Sequence, residues 1–224
     1  MAGLYIHIPF CKKACHYCNF HFSTSLKNRK KIISSLIKEI EIKYIGYEDL
    51  IETIYFGGGT PSLLSIIEID SLIKAVIDNF KISKKPEITL EANPDDLNTS
   101  KLKELSNSLI NRLSIGIQSF NDQDLKLMNR SHNSFDSINC IDNSLKYFDN
   151  ISIDLIYGMP NSNLISWEKN LNLALNWDLN HISAYALTVE PKTALEKYIQ
   201  KEIILPLDEE FVYDQFNLMY DKLL

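Results

Sequence analysis

The sequence predicts an α/β fold, namely a partial TIM-type barrel of six strand-and-helix units, (β/α)6. Short β-branched segments alternate with longer helical segments along the 224 residues. Such alternation is typical of parallel strands joined by crossover helices. Several strands also alternate between apolar and polar residues, which indicates that one face of the sheet packs on helices while the other faces a polar interior.

Each predicted strand is short and bounded by turn residues, and each predicted helix shows apolar residues at three- and four-residue steps. We expect strands at 4–8, 53–56, 87–92, 112–118, 151–157 and 181–188. We expect helices at 27–45, 66–80, 100–109, 135–148, 165–176 and 208–224. No linker-like or low-complexity stretch divides the chain.

Three of the predicted strands carry a polar residue opposite their apolar face. Glu91, Gln118 and Asp154 should therefore point into the barrel interior. Most barrel interiors are filled by bulky aliphatic residues, and buried carboxylates without partners are costly. This interior should consequently bind a polar ligand. An antiparallel sheet with one solvent-exposed face is the alternative interpretation of the same alternation.

The composition argues against several classes of protein. The net charge of −6 is unlike the basic surface that nucleic-acid-binding proteins usually carry. No uninterrupted apolar run reaches the length of about 18 residues that a transmembrane helix needs, and the N-terminus lacks a signal-peptide pattern. Because the four cysteines do not suggest a disulfide framework, we expect a cytoplasmic protein.

Three cysteines lie close together directly after the first predicted strand. Cys11, Cys15 and Cys18 form a C-x3-C-x2-C array. Three thiolates can ligate three irons of a [4Fe-4S] cluster and leave the fourth iron free, whereas most such clusters take four cysteines. A structural zinc site is the alternative, and it requires a fourth ligand. The candidates for that ligand are His16, His21 and Cys140.

A glycine triplet ends the second predicted strand. Residues 57–59 precede Thr60 and Pro61 at the carboxyl end of the strand, where β/α barrels place their active sites. Glycine lets the backbone approach a ligand closely, and Pro61 opposes extension of the strand. The triplet is a candidate ligand contact, and a simple tight turn is the alternative.

Other residues have both a functional and a structural interpretation. Glu91 could accept hydrogen bonds from ribose hydroxyls or form an ion pair inside the barrel. Arg130 could pair with an inward-facing acid or a ligand carboxylate, or lie on the surface of a helix. His7 could line the interior or be an ordinary hydrogen-bonded histidine. The expected packing residues are Cys140, Trp167 and Trp177.

Five motifs in a fixed order give the sequence a specific resemblance. They are Tyr-Ile-His-Ile-Pro-Phe-Cys, Phe-Gly-Gly-Gly-Thr-Pro-Ser-Leu-Leu, Glu-Ala-Asn-Pro, Leu-Ser-Ile-Gly-Ile-Gln-Ser-Phe and Asp-Leu-Ile-Tyr-Gly-Met-Pro. Together they resemble the HemN/HemW family of the radical S-adenosylmethionine (SAM) superfamily. The resemblance implies a radical SAM barrel that binds a [4Fe-4S] cluster and SAM.

The resemblance also implies roles for individual residues. Cys11, Cys15 and Cys18 would ligate the cluster, and Tyr17 would shield it. The contacts to cluster-bound SAM would come from Tyr5, Gly58 and Glu91. Gly59 and Thr60 match contacts to a second SAM in the oxidase branch. Further nucleoside-binding positions are matched by Gln118, Arg130, Asp154 and Ala186.

The family contains a heme chaperone and an enzyme, oxygen-independent coproporphyrinogen III oxidase. The oxidase pattern has a further cysteine two residues after the third, whereas Asn19 and Phe20 follow Cys18 here. We therefore expect a heme chaperone, with the oxidase as the alternative. The expected partners are heme or porphyrin, an electron donor such as flavodoxin or ferredoxin, and a heme-accepting protein.

The expected domain organisation is a core barrel at residues 1–206 and the start of a C-terminal extension at 207–224. The resemblance implies a C-terminal domain with an H-N-x-x-Y-W motif that helps to cover the porphyrin site, whereas this chain ends at Leu224. Because enclosure of a site suppresses side reactions, we expect these 224 residues alone to have weak or no activity.

Overall fold

The computed structural model describes residues 2–160 and 162–223. Its strands are β1 (Ala2–Ile8), β2 (Ile51–Gly58), β3 (Ile82–Ala92), β4 (Arg112–Gln118), β5 (Ile151–Tyr157) and β6 (His181–Ala186). Its α-helices are α1 (Arg29–Lys43), α2 (Ile66–Asn79), α3 (Thr99–Ser106), α4 (Asp122–Leu127), α5 (Ser134–Ser144), α6 (Leu164–Ala174), α7 (Ala194–Gln200) and α8 (Glu209–Leu223). Short 3-10 turns lie at Pro61–Leu63 and Pro94–Asp96.

The six strands form one sheet in the order β1-β2-β3-β4-β5-β6. Every neighbouring pair is parallel. Within the described residues β1 and β6 do not pair with each other, so the barrel is partial. These observations confirm the predicted α/β fold class and rule out the antiparallel alternative.

The apolar face of the sheet forms the main core with the helices. Leu90, Ile115 and Ile153, from three adjacent strands, have no exposed surface. They belong to the same cluster of buried side chains as Ile69 and Leu72 of α2. The apolar alternation therefore lies on the helix side of the sheet, as predicted, and leaves the polar residues of the strands facing inward.

The sequence did not predict two short helices, α4 and α7. They span six and seven residues, which is too short to show a clear helical period. Their capping residues are typical, because Asn121 accepts a hydrogen bond from Gln123 N–H and Thr193 accepts one from Glu196 N–H. As a consequence, Arg130 lies in the turn after α4 and not on the surface of a helix.

The remaining packing predictions are confirmed. Cys140 and Trp167 are 3% and 2% exposed. Trp177 stacks on Phe120 with ring centroids 5.7 Å apart, and its Nε1 donates to Asp142 Oδ1 at 2.8 Å. None of the helices in the described part of the chain is both long and apolar enough to span a membrane.

A buried glutamine docks α8 on the barrel. Gln215 is 1% exposed, and its Oε1 accepts a hydrogen bond from Gly158 N–H at 2.5 Å. Its Nε2 donates to Ser162 Oγ at 3.3 Å, and its backbone oxygen accepts from Trp167 Nε1 at 2.9 Å. Apolar residues of the same helix pack on the main core, namely Val212, Leu218 and Met219. The domain boundary at residue 206 stays a prediction.

Replacing Gln215 by leucine should lower the free energy of unfolding by about 1–3 kcal/mol, because the buried Gly158 N–H loses its acceptor. Asp214→Asn, at an exposed position of the same helix, is the matched control and should change stability little. Urea denaturation of both variants measures the difference. Equal midpoints for the two variants would contradict the docking role of Gln215.

Candidate functional site

A cavity of about 570 Å³ opens at the carboxyl ends of the strands. Its walls come from the interior faces of β3, β4 and β5 and from the loops after β1, β2 and β6. Every predicted site residue except Tyr5 lines it: Cys11, Cys15, Tyr17, Cys18, Gly58, Gly59, Thr60, Glu91, Gln118, Arg130, Asp154 and Ala186. The structure thus brings together side chains that are far apart in the sequence.

The cysteine loop, residues 11–18, connects β1 to the cavity mouth. Its three cysteines are free thiols and partly buried. Cys11 N–H donates to Ser23 O at 3.1 Å, and Cys18 N–H donates to Cys15 O at 3.3 Å. Burial raises the pKa of the Cys11 and Cys18 thiols. A bound metal would replace the protons and stabilise the thiolates.

The end of α4 holds the cysteine loop in place. His16 N–H donates to Met128 O at 3.1 Å, and His16 Nδ1 donates to Leu127 O at 2.7 Å. Asn129 Nδ2 donates to Ala14 O at 2.8 Å. Asn129 has a φ of 59°, a left-handed conformation that asparagine tolerates better than most residues. Three hydrogen bonds therefore fix the cysteine loop against the segment that carries Arg130.

The glycine turn after β2 leaves no space for side chains. Gly58 has a φ of +108°, and a Cβ on it would lie 2.6 Å from His7 Nδ1. A Cβ on Gly59 would lie 2.5 Å from Phe10 O, which is backbone and cannot move aside. Because both positions need glycine, the backbone of this turn forms part of the cavity wall.

Glu91 binds the glycine turn from the neighbouring strand. Its Oε2 accepts a hydrogen bond from Gly58 N–H at 3.1 Å, and its Oε1 accepts one from Tyr55 OH at 2.9 Å. None of the ion pairs within the described residues includes Glu91. The ion-pair interpretation of Glu91, one of the two alternatives, is therefore wrong for the described residues, and the carboxylate is left facing the cavity.

Two interior carboxyl groups make the cavity attractive to hydrogen-bond donors and cations. Burial raises the pKa of Glu91, and the charge of nearby Asp154 raises it further. Burial likewise raises the pKa of Asp154. A ligand that donates hydrogen bonds or carries positive charge would stabilise both ionised carboxylates.

Gln118 enters the cavity through an irregular end of β4. It has a φ of 68°, and the β4–β5 register shifts between Ile115 and Gln118. A Cβ on Gly116 would lie 2.8 Å from Gln118 Nε2 and 3.3 Å from Arg130 Nη2. Gly116 therefore provides the space in which the Gln118 and Arg130 side chains lie.

A buried polar network holds the turn that follows Gln118. Ser119 has no exposed surface, and its Oγ donates to Asp124 Oδ2 at 2.8 Å. Asn170 Nδ2 donates to Ser119 Oγ at 3.1 Å, while Asn170 Oδ1 accepts from Phe120 N–H at 2.8 Å. The sequence did not predict this network, because Asp124 and Asn170 lie outside the five motifs and Asn170 is 51 residues away from Ser119 along the chain.

Arg130 faces the cysteine loop from the turn after α4. Its Nη2 donates to Asn93 Oδ1 at 2.6 Å and to Gly116 O at 2.8 Å, and its Nη1 donates to Cys15 Sγ at 3.5 Å. Its Nε is buried without a hydrogen-bond partner. Pairing with an inward-facing acid, one of the interpretations of Arg130, is not found among the described residues.

Tyr5 lies beside the cavity rather than in its wall. It is 56% exposed, and its ring stacks on Tyr55 with centroids 6.0 Å apart. Its hydroxyl lies 3.5 Å from His7 Nδ1, and His7 Nε2 donates to His21 O at 3.2 Å. His7 is therefore a hydrogen-bonded histidine, in agreement with the structural interpretation of that residue.

Part of the cavity wall could not be anticipated from the motifs. The end of β6 and the loop after it contribute Tyr185, Leu187, Thr188 and Glu190, and the segment around the cysteines contributes Lys13, Asn19, Phe20 and Phe22. Asn19 Nδ2 donates to Glu190 Oε2 at 2.7 Å, so these two loops touch. The cavity-lining role of the residues at and after the end of β6 could have been predicted from their position at the carboxyl end of a barrel strand.

The donor set does not favour zinc. Zinc needs four ligands that converge on one ion, and within residues 2–160 and 162–223 no three His, Cys, Asp or Glu side chains do so. Cys140 is buried beside Ser144, and the His16 ring is bound to Leu127. A [4Fe-4S] cluster binds each cysteine through a different iron, so three separate thiols around one cavity mouth fit it better.

The raised pKa of Asp154 gives a pH-dependent prediction. The Asp154 carboxyl group holds its proton more tightly in the folded chain than in the unfolded chain. Its contribution to the free energy of unfolding is therefore complete below about pH 3.9. This contribution is lost as the pH rises through the pKa of the folded chain. Asp154→Asn should therefore raise the free energy of unfolding at pH 7.5 when no ligand is bound, and this gain should shrink toward pH 4.

Urea denaturation across that pH range measures the effect. Asp149→Asn, at an exposed position just before β5, is the control and should leave the pH dependence unchanged. A gain in stability for Asp154→Asn that is the same at pH 4 and pH 7.5 would contradict the explanation by a buried carboxylate.

Comparison with known proteins agrees with this geometry. Residues 5–174 match the Radical SAM superfamily. The chain is 40% identical over 228 residues to the heme chaperone HemW of Buchnera aphidicola subsp. Acyrthosiphon pisum, an alignment that covers 99% of this chain and 58% of the relative. It is 38% identical to the heme chaperone HemW of Bacillus subtilis, with 94% and 57% of the two chains covered.

The solved structure of coproporphyrinogen III oxidase (HemN) from Escherichia coli, a radical SAM enzyme, has the same fold. It superposes with a TM-score of 0.85 at 25% identity, over 98% of this chain and 52% of that chain. The chain thus spans less than three fifths of the length of these relatives. Since the family match covers most of its length, this chain belongs to the radical SAM superfamily and, within it, is similar to the HemN/HemW family.

Proposed function

We propose that this chain is a HemW-like heme chaperone that binds a [4Fe-4S] cluster and SAM at the cavity and transfers heme to another protein. The observation that carries the proposal is the set of three free thiols at the mouth of a cavity whose interior presents two partly buried carboxyl groups. The similarity to HemW proteins over nearly the whole chain supports the chaperone branch.

The proposed cluster ligands are Cys11, Cys15 and Cys18, with Tyr17 beside them in the cavity wall. When bound, the cluster would supply one-electron chemistry and an iron that no cysteine ligates. The hydrogen bonds from His16 and Asn129 to the α4 end hold the cysteine loop before any cluster is present. These residues therefore preorganise the site instead of folding around the metal.

The proposed SAM contacts lie deeper in the cavity or at its rim. They are Tyr5, Gly58, Gly59, Thr60, Glu91, Gln118, Arg130, Asp154 and Ala186. Glu91 and Asp154 suit the hydroxyl groups and the positive charge of SAM, since both carboxylates are partly buried and have no cationic partner among the described ion pairs. The exposed glycine backbone suits a ligand that must approach closely.

The segment after the third cysteine favours the chaperone over the oxidase. Phe20 occupies the position of the further cysteine in the oxidase pattern, is 68% exposed and lines the cavity mouth. The alternative, an oxygen-independent coproporphyrinogen III oxidase, is supported by the TM-score of 0.85 against HemN. Either function would require an electron donor such as flavodoxin or ferredoxin, and the chaperone also requires a heme-accepting protein.

Heme titration of the anaerobically reconstituted chain tests the proposed function. We expect saturable binding near one heme per chain and no conversion of coproporphyrinogen III when SAM and a reductant are supplied. Anaerobic formation of protoporphyrinogen IX with consumption of SAM would instead establish the oxidase. Absence of heme binding would contradict the chaperone proposal for these 224 residues.

Replacing any one of the three clustered cysteines by alanine should lower the iron content of the reconstituted chain several-fold, because each thiolate holds a different iron. Cys140→Ala is the matched control and should keep the full iron content, since Cys140 lies in the core beside Ser144. Iron and sulfide analysis of the cysteine variants and of the Cys140→Ala control measures their cluster content. Full iron content in a Cys15→Ala variant, or zinc in its place, would contradict the assignment.

A further inference from the structure

Arg130 is a cation that has no counter-ion among the residues that the structure describes. It is partly buried, its Nε has no hydrogen-bond partner, and no described carboxylate lies within ion-pair distance of it. The nearby Asp95 is engaged by Lys12 at 2.8 Å and by Ser131 Oγ at 2.9 Å. A desolvated charge without a partner is unfavourable. We therefore expect an anionic group to bind next to the guanidinium of Arg130.

The guanidinium of Arg130 contacts a sulfur of the cysteine loop. Within the described residues, Arg130 Nη1 donates to Cys15 Sγ at 3.5 Å, while Nη2 is held by Asn93 Oδ1 and Gly116 O. The two hydrogen bonds of Nη2 thus orient the guanidinium so that Nη1 faces Cys15 Sγ. The Arg130 backbone is also fixed, because its N–H donates to Leu125 O at 2.9 Å.

Hydrogen bonds also hold the backbone on either side of the Arg130–Cys15 pair. Asn129, the residue before Arg130, donates to Ala14 O at 2.8 Å, and His16 is bound to Leu127 and Met128. The fold of the chain therefore holds the guanidinium next to the sulfur.

From this geometry we infer that Arg130 is a positioning and tuning residue of the metal centre: it donates a charge-assisted hydrogen bond to the Cys15 thiolate and raises the reduction potential of the cluster. This inference rests on the proposed cluster ligation by Cys11, Cys15 and Cys18. It assigns Arg130 a role toward the metal centre that is separate from its proposed contact to SAM.

The direction of the effect follows from charge. A [4Fe-4S] core held by three thiolates is anionic, and reduction adds a further negative charge. A fixed positive charge beside a ligating sulfur stabilises the reduced form more than the oxidised form, and hydrogen bonds to the sulfurs and the net charge around a cluster are known to set its potential. Losing the guanidinium should therefore make the cluster harder to reduce.

Redox titration without SAM, followed by EPR, tests the inference on the reconstituted 224-residue chain. In Arg130→Gln the ratio of reduced to oxidised cluster at a fixed potential should fall about tenfold, which is about 59 mV for a one-electron couple. Arg130→Lys keeps the charge but not the planar fork, so its potential should lie between those of Arg130→Gln and the natural chain.

Arg112→Gln is the matched control. Arg112 starts β4, at the opposite end of the strand from Gln118, and its guanidinium donates to Thr89 Oγ1 at 3.3 Å and Ser152 Oγ at 2.9 Å. Removing this positive charge from the barrel interior should shift the potential much less than Arg130→Gln does. Equal shifts for the two variants would show a general charge effect and would overturn the specific role of Arg130.

The possible outcomes separate the two proposals. Absence of a cluster in the natural chain would refute the proposed function, whereas a cluster whose potential is the same in all Arg130 variants would refute only this inference. If Arg130→Gln fails to assemble a cluster, the reduction potential of Arg130→Lys is compared with that of the natural chain instead. A lower potential for Arg130→Lys than for the natural chain supports the inference, and an equal potential overturns it.

Discussion

The hydrogen bonds between the cysteine loop and the end of α4 are the constraint on which the candidate site depends. His16 and Asn129 supply side-chain bonds across this junction, at 2.7 and 2.8 Å. They place a loop from the start of the chain against a turn more than a hundred residues later. Without that junction the cysteine loop would keep the bonds from Cys11 N–H to Ser23 O and from Lys12 to Asp95, but Cys15 and Arg130 would no longer be held against each other. The site is therefore a property of the whole barrel and not of the cysteine motif.

The interior of the barrel presents a second constraint, which concerns charge. Partly buried acids and an arginine line one cavity, yet none of them pairs with an opposite charge among the described residues. Such an arrangement is unfavourable in the empty chain. A bound group that offers negative charge to Arg130 and hydrogen-bond donors to Glu91 would relieve both costs. Ligand binding and stability of this chain are thus expected to be coupled.

Much of the fold and part of the site could be predicted from the sequence, because strict alternation of strands and helices and period-two polarity are local patterns. They predicted the parallel sheet and the inward direction of Glu91, Gln118 and Asp154. What they could not predict depends on long-range contacts. The helix α4 is too short for a period, the Ser119 network joins two helices, and the contact of Arg130 with the Cys15 sulfur joins residues 115 positions apart.

The central claim is that three thiols of the cysteine loop leave one iron of a cluster available to SAM in the adjacent cavity. Low-temperature EPR of the dithionite-reduced, reconstituted chain, recorded with and without SAM, tests it most directly. We expect a [4Fe-4S] signal whose g-values change when SAM is added. A cluster signal that SAM leaves unchanged, or a preparation that contains zinc and gives no cluster signal, would contradict it.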